Sequence, residues 1–329
     1  MAELVRVGIA GTGSRLPDRV MTNDDFASIV DTNDEWIIQR TGIRERRFVE
    51  DGENTSELSA AAAKQALENA GVAPEDVDLV VLGTLTPDYL MPSSAALVQD
   101  QLGLKNAGAF DVASACTGFL TALHTAEAFV ASGRAKRVLA IGAETLSRYL
   151  NMKDRTSCIL FGDGAGAAVV TPWSDCEQGE ILESTLGADG SGFDFIHIPT
   201  GGARTPHNHR DYEKDKHFIS VRGREVYRFA VSKMTEMIQH VTRDIDPDEV
   251  AWVVPHQVNK RIIDAALERL GWSSERCVVN IDRYGNTSAA SVPIALHEAA
   301  ADGRLQKGQL VVMVAFGAGL TWGGTLLRW

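Results

Sequence analysis

A unit of strand, helix, strand, small-residue turn and helix is written twice along this chain, and that repetition restricts the fold more than any other sequence feature. In the first copy Val77-Asp-Leu-Val-Val-Leu-Gly83 leads to a helical stretch closing on Leu102-Gly103, and Phe110-Asp-Val112 then runs into Ser114-Ala-Cys116. In the second, Val250-Ala-Trp-Val-Val-Pro255 leads to a helical stretch closing on Leu270-Gly271, and Val278-Val-Asn-Ile281 runs as a strand into Tyr284-Gly-Asn286. Halves related by such pseudo-symmetry bring Cys116 and Asn286 together at the centre. Chance likeness between two α/β halves of similar composition is the competing explanation.

Short β-branched runs at 77–83, 137–142, 251–255 and 310–316 predict buried strands, and Ala-rich runs at 56–70, 93–102, 119–132 and 260–270 predict helices. Their alternation means a layered α/β architecture. The expected division is an N-terminal half at 1–172 holding the candidate cysteine and a C-terminal half at 173–329 holding a candidate histidine and asparagine. With 329 residues, 44% of them hydrophobic, the chain has material for a large core or two fused ones.

Charge excludes some functions. A net charge of −12 and a pI near 5.2 argue against a general nucleic-acid binder, so any basic patch is local. Met1-Ala-Glu-Leu-Val-Arg6 lacks the basic and apolar regions of a signal peptide, and no apolar run reaches the roughly 20 residues that span a bilayer. A cytoplasmic protein is expected. Its four cysteines, Cys116, Cys158, Cys176 and Cys277, form no Cys-x-x-Cys pair and are expected as free thiols. A polar loop at 199–217 carries His207, His209 and His217. Without a fourth ligand or a rigid strand to hold them, it reads as a solvated loop and not as a metal site.

Three motifs carry chemistry. In Asp111-Val-Ala-Ser-Ala-Cys-Thr-Gly-Phe119 the thiol sits between a strand and a helix, among small neighbours that leave room for a substrate. Free amides and the dipole at a helix N-terminus favour thiolate there; a buried structural cysteine is the alternative. His256, in Pro255-His-Gln-Val-Asn259, stands at the carboxyl end of a strand, where α/β folds keep their chemistry. Asn286 lies in Tyr284-Gly-Asn-Thr-Ser288, otherwise a plain turn before a helix N-cap. Gly162-Asp-Gly-Ala-Gly-Ala167 fits a dinucleotide fingerprint in form only, because Ala168-Val-Val170 continues as a strand and not a helix. Gly11-Thr-Gly13 follows a strand but runs on to Pro17. The closing Ala315-Phe-Gly-Ala-Gly-Leu-Thr-Trp322 reads as a tight turn offering backbone N–H groups.

Over nearly its whole length the sequence resembles β-ketoacyl-acyl-carrier-protein synthase III, the initiating ketosynthase of dissociated fatty acid synthesis. The likeness rests on Gly11-Thr-Gly-Ser-Arg-Leu-Pro17, Asp34-Glu-Trp-Ile-Ile-Gln-Arg-Thr-Gly-Ile43, the Cys116 segment, Phe161-Gly-Asp-Gly-Ala-Gly166, Pro255-His-Gln-Val-Asn259, Gly285-Asn-Thr-Ser-Ala-Ala290 and the Phe316 segment. It implies a thiolase-like five-layered αβαβα sandwich, a homodimer, and a ping-pong condensation of acyl-CoA with malonyl-acyl-carrier protein. Cys116 is then the nucleophile, with the N–H groups of Cys116 and Ala318 as oxyanion hole. His256 Nε2–H and Asn286 Nδ2–H stabilise the enolate left by CO₂ loss, while Phe316 disfavours the malonyl carboxylate. No metal or organic cofactor is implied.

The same likeness places CoA on Trp36, Thr32, Arg40 and Arg155 at the nucleotide end, and on Gly223, Arg224, Tyr227 and Asn259 along the pantetheine tunnel. Met91, Leu146 and Phe161 would form the acyl pocket, with Met91 reaching across the dimer. Arg228, Lys233, Lys260, Arg261 and Arg269 would dock the acidic carrier protein. Some positions depart from the family: Arg224 where Asn is frequent, Ala318 for a common Gly, Met91 for Phe, and a longer 199–217 loop. Competing readings are a sister ketosynthase of specialised metabolism, a Cys-His-Asn hydrolase, whose Cys-Gly-Ser-Cys-Trp context is missing, and a non-catalytic partner protein.

Overall fold

A computed structural model describes residues 4–329. Met1 to Glu3, the start of the stretch read above for a leader, lie outside the described residues. Strands β1 (Val7–Arg15), β2 (Leu79–Gly83), β3 (Gly108–Val112), β4 (Val138–Glu144) and β5 (Gly164–Pro172) form one sheet in the order β1-β5-β4-β2-β3. Strands β6 (Glu180–Ala188), β7 (Val250–Pro255), β8 (Leu310–Gly317) and β9 (Thr321–Arg328) form another in the order β7-β8-β9-β6. The wiring matches. β2 and β4 are parallel, as are β7 and β8; the pairs β4–β5, β5–β1, β8–β9 and β9–β6 are antiparallel.

The helices that matter are α1 (Asp34–Thr41), α2 (Thr55–Ala70), α3 (Ser94–Gln101), α4 (Gly118–Ala131), α5 (Gly223–Val241), α6 (Lys260–Leu270) and α7 (Ser291–Ala301). α4 and α7 lie between the sheets, where Phe119, Leu123, Val292 and Leu296 pack against Val81 and Ala140 on one side and Val311 and Met313 on the other. A helix held between two sheets must be apolar on more than one face, which explains their Ala-rich sequences. α2 and α3 cover the outer face of the first sheet, and α5 and α6 that of the second. The result is five layers, α/β/α/β/α. A fourth cluster, built on Phe26, Ile37, Ile43 and Phe161, joins α1 to the segment before Asn286 as a cap outside the repeat. Arg46 is completely buried there and donates to the carbonyls of Met21 and Ile159 and to Asn23 Oδ1.

The expected elements appear within one or two residues of their predicted ends, with two corrections. The strand expected at 278–281 is only an isolated bridge between Cys277 and Val253, because the Gln257 side chain takes the pairing groups. Its Oε1 accepts from the amides of Asn280 and Ile281, and its Nε2 donates to Val278 O. Gly11 and Gly13 lie inside β1 and not after it. A Cβ on Gly13 would stand 2.3 Å from Ala62 O, so these glycines let α2 lie flush on the strand.

Candidate active site

Cys116 occupies a 3-10 turn, Ala115–Thr117, between β3 and α4. Ala115 is left-handed, φ 50°, a conformation an L-residue keeps only when its surroundings enforce it. The closing turn after β8 supplies that pressure: a Cβ on Gly317 would approach Cys116 N to 2.7 Å. Thr321 Oγ1 lies 3.2 Å from Ser114 O and 3.3 Å from Ala318 O, tying the two turns together. Ala318 keeps φ negative, so alanine fits there without strain. The helix N-terminus expected to favour thiolate is opposed by burial. Burial pushes the Cys116 thiol up to about 12; a hydrogen bond with Ser288 opposes the rise and the nearby Glu144 adds to it.

His256 follows β7, its amide donating to Val314 O at 2.8 Å. Its Nδ1 lies 2.6 Å from Ser291 Oγ at the start of α7, and its Nε2 is buried without a partner. Burial pushes the imidazole down to about 3, which keeps it neutral. The Phe316 ring stands edge-on at 5.6 Å. Asn286 is fixed at three atoms: its amide donates to Leu160 O, its carbonyl accepts from Gly162 N, and its Oδ1 accepts from Ser288 N at 2.8 Å. Only the Nδ2 hydrogens remain for the pocket.

These side chains meet. Cys116, His256, Asn286, Phe161, Phe316 and Gly317 line a narrow cavity of about 140 Å³ that reaches Gly223, Tyr227 and Asn259. A roomier cleft of about 470 Å³ beside Thr12, Asn69, His297 and Lys307 holds none of them.

The other expected positions divide. Trp36 on α1 is flanked by the guanidinium groups of Arg155 at 5.4 Å and Arg40 at 5.7 Å, and the nearby Thr32 Oγ1 is buried without a partner. Asn259 caps α6 and donates to Arg40 O, joining α1 to the cavity. Arg224 is exposed on the first turn of α5 and does not line the cavity. Leu146 is buried in the cap cluster. Met91 is 83% exposed on a surface segment with Leu90 at 95%. Of the basic residues, Arg228, Arg261 and Arg269 are exposed, whereas Lys233 pairs with Glu236 and Lys260 with Asp264.

Sequence reasoning missed Glu144, Ser288 and Ser291, which contact the catalytic candidates or each other. Glu144 carried a usable signal, an acid at the carboxyl end of a central strand. The two serines looked like ordinary helix-start residues. Among the described residues no group of three or more His, Cys, Asp or Glu is placed to hold a metal, and no helix is long and apolar enough to cross a membrane.

The same fold occurs in 3-oxoacyl-[acyl-carrier-protein] synthase III from Aquifex aeolicus VF5, with TM-score 0.91 and 46% identity over 98% of this chain and all of that one. It occurs again in the priming β-ketosynthase of the R1128 polyketide pathway, with TM-score 0.91 and 35% identity over 99% and 97% of the two chains. Fold and site together define a thiolase-like condensing enzyme, an acyltransferase. Models of 3-oxoacyl-[acyl-carrier-protein (ACP)] synthase III match residues 110–190 and 242–329, and the β-ketoacyl-[acyl-carrier-protein] synthase III of Caldanaerobacter subterraneus is 48% identical over 100% of this chain and 99% of its own. The chain belongs to the β-ketoacyl-acyl-carrier-protein synthase III family.

Proposed function

We propose that this enzyme starts fatty acid synthesis by joining a short acyl-CoA primer to malonyl-acyl-carrier protein, with Cys116, His256 and Asn286 as its catalytic residues. The observation that carries the reading is their convergence in one narrow, largely apolar cavity. Acyl-CoA enters past Tyr227 and Asn259, with its nucleotide against Trp36, Arg40 and Arg155, and acylates Cys116. The amides of Cys116 and Ala318 hold the oxyanion. The malonyl thioester then follows into the emptied tunnel. When the Ser291 hydroxyl, which donates to Ser288 O in the resting site, turns to donate to Nδ1, His256 carries its hydrogen on Nε2 and joins Asn286 Nδ2 on the enolate oxygen as CO₂ leaves. Phe316 keeps water and charge from the departing carboxylate. The enolate carbon attacks the acyl-Cys116 carbonyl and releases the 3-oxoacyl-carrier protein.

The working form is a homodimer in the cytoplasm, needing no cofactor beyond its thioester substrates. Support for the dimer is the exposed apolar segment Leu85, Tyr89, Leu90 and Met91 beside the sheet edge β3, which a second copy would cover. The carrier protein docks on Arg228, Arg261 and Arg269.

A second reading draws on the priming ketosynthase of the R1128 polyketide pathway, which shares the fold: the same chemistry serving a specialised pathway. Incubation with acetyl-CoA and malonyl-acyl-carrier protein, followed by mass spectrometry, tests both. The proposal expects acyl-Cys116 and then acetoacetyl-carrier protein. Acylation without condensation onto a fatty acid carrier favours the second reading, and no acyl-enzyme at all sinks the first.

A further inference from the structure

Leu320 closes the turn Ala318–Leu320 between β8 and β9 and lines the active-site cavity together with Cys116. Its backbone is left-handed, φ 48°, directly after the left-handed Gly319 at φ 72°. Glycine would hold that conformation without strain, and a leucine there points to a task for its side chain. The side chain is 8% exposed, and its tip rests on Gly192. A Cβ placed on Gly192 would stand 2.3 Å from Leu320 Cδ1 and 2.7 Å from Cγ, closer than packed carbons come.

Gly192 ends the buried side of the 3-10 turn Gly190–Gly192, which follows β6. Two backbone contacts fix that turn against Leu320. Ala188, the last residue of β6, pairs with Thr321 at the start of β9, and Asp189 N donates to Leu320 O at 3.1 Å. The φ of Gly192 lies outside the left-handed region, so it is the space beside Leu320, and not the backbone conformation, that demands glycine there.

Building on the acyl-Cys116 reading above, we propose that Leu320 is the wall that limits the length of the acyl primer, and that the missing side chain of Gly192 is what lets this wall stand back from the cavity. Leu320 follows Ala318, the expected oxyanion donor, by two residues, and Gly317, on which a Cβ would approach Cys116 N to 2.7 Å, by three. The wall therefore belongs to the same turn that holds the thioester. The cavity measures about 140 Å³ and has to take the end of the pantetheine as well as the acyl group, so each added carbon is felt. Phe161 and Leu160 line it too, but both are bound to the Asn286 backbone, and Ile196 and Val221 pair with one another across two short strands. Leu320 backs instead onto a residue with no side chain. Shortening it opens room as far as Gly192, whereas a methyl on Gly192 drives it into the cavity. This wall lies in the chain that carries the cysteine and acts whether or not a partner's Met91 reaches the same space.

The test is the acylation rate of Cys116 by acetyl-, butyryl- and hexanoyl-CoA, measured by rapid quench and intact-protein mass spectrometry. Wild type, L320A, L320G, G192A and the double variant G192A/L320A are compared through the ratio of hexanoyl to acetyl rates. One methylene in an apolar pocket changes selection by about tenfold or more, so L320A and L320G should raise the ratio by at least about tenfold, and G192A should lower it by a similar factor. The double variant should return to the L320A value, because the added methyl then has nothing to strike. A role in folding alone would slow every primer equally and leave the ratio where it was. An L320A ratio like that of wild type overturns the proposal, as does an equal loss for all three primers in folded protein or a G192A ratio that does not fall. If L320A folds poorly, G192A, which removes no atom, decides alone. A wild-type chain that forms no acyl-enzyme with any primer overturns the acyl-Cys116 reading and this proposal with it, a result distinct from an acyl-enzyme formed with an unchanged ratio.

Discussion

Ala115 and Ser288 hold the same left-handed conformation, φ 50° and 49°, each opening the 3-10 turn that leads into one of the two central helices. Ala-Leu-His recurs at equal distance beyond them, at 122–124 and 295–297. The two turns are one structural device used twice, and each costs on the order of 1–3 kcal/mol of backbone strain. The first turn carries the cysteine. The second carries Ser288, whose amide donates to Oδ1 of Asn286 two residues earlier. Pseudo-symmetry thus gives one composite site divided between two non-identical turns.

Acylation and decarboxylation should separate by mutation. Cys116→Ala should abolish acyl transfer from acyl-CoA yet retain malonyl decarboxylation, since His256 and Asn286 remain. Asn286→Ala should lose decarboxylation by about 10²–10³ and still accept an acyl group. Radiolabelled acyl-enzyme and CO₂ release read the two steps. Equal loss of both in folded Asn286→Ala would remove the assignment.

Ser291→Ala takes away the only side-chain partner of His256 Nδ1. The lost hydrogen bond, about 1 kcal/mol, corresponds to a fall in decarboxylation of roughly fivefold, with acylation of Cys116 slowed less. Titration of the His256 ring by NMR should show a mixed tautomer where wild type shows one. An unchanged spectrum would refute the positioning role.

Docking of an acidic carrier on Arg261 should be local and salt-sensitive. Arg261→Glu should raise the KM for malonyl-carrier protein far more than that for acyl-CoA. Lys260→Glu should matter less, because Lys260 is already paired with Asp264. Matching shifts for both substrates in Arg261→Glu would exclude the patch.

Met91 is too exposed in the single chain to shape its own cavity, so any influence on primer length must act on a partner. Met91→Trp should shorten the range of accepted primers, and a Met91→Asp chain should shift towards monomer in sedimentation. An unaltered chain-length profile in the tryptophan variant would contradict the assignment.

Glu144 also predicts a pH dependence of stability. Its folded value, about 7, lies above that of a free carboxyl, so the folded state binds the extra proton. Its favourable contribution is complete below the unfolded value and is lost as pH rises through about 7, by roughly 3 kcal/mol in all. E144Q, whose amide can accept from Thr86 and donate to Ser288, should therefore gain Tm relative to wild type at pH 8 and match it near pH 5. A difference independent of pH would show that Glu144 is not charged in the fold at pH 8.

Much of this was legible in the sequence. The strands and helices followed from β-branched and Ala-rich periodicities, and the convergence of Cys116 and Asn286 followed from the repeat, because both are local or nearly local patterns. The strand expected at 278–281 failed for a long-range reason: the Gln257 side chain, some twenty residues earlier, takes the amides that a neighbouring strand would have paired. The burial that opposes a thiolate at Cys116 was not legible, because a helix N-terminus is visible in sequence and desolvation is not. Arg228, Arg261 and Arg269 read the same as Lys233 and Lys260 until Glu236 and Asp264 were seen beside the two lysines.

By itself the sequence determined the layered α/β fold, the family and the three candidate catalytic residues, since periodicity, turn chemistry and motif spacing are properties of neighbours along the chain. Tertiary structure alone decided the electrostatics of the site: burial pushes His256 down beside Ser291, pushes the Cys116 thiol up, and raises the Glu144 carboxyl that accepts from Ser288. Those depend on how much water each group has lost and which distant dipole faces it, and both are fixed only when the two halves close on one another.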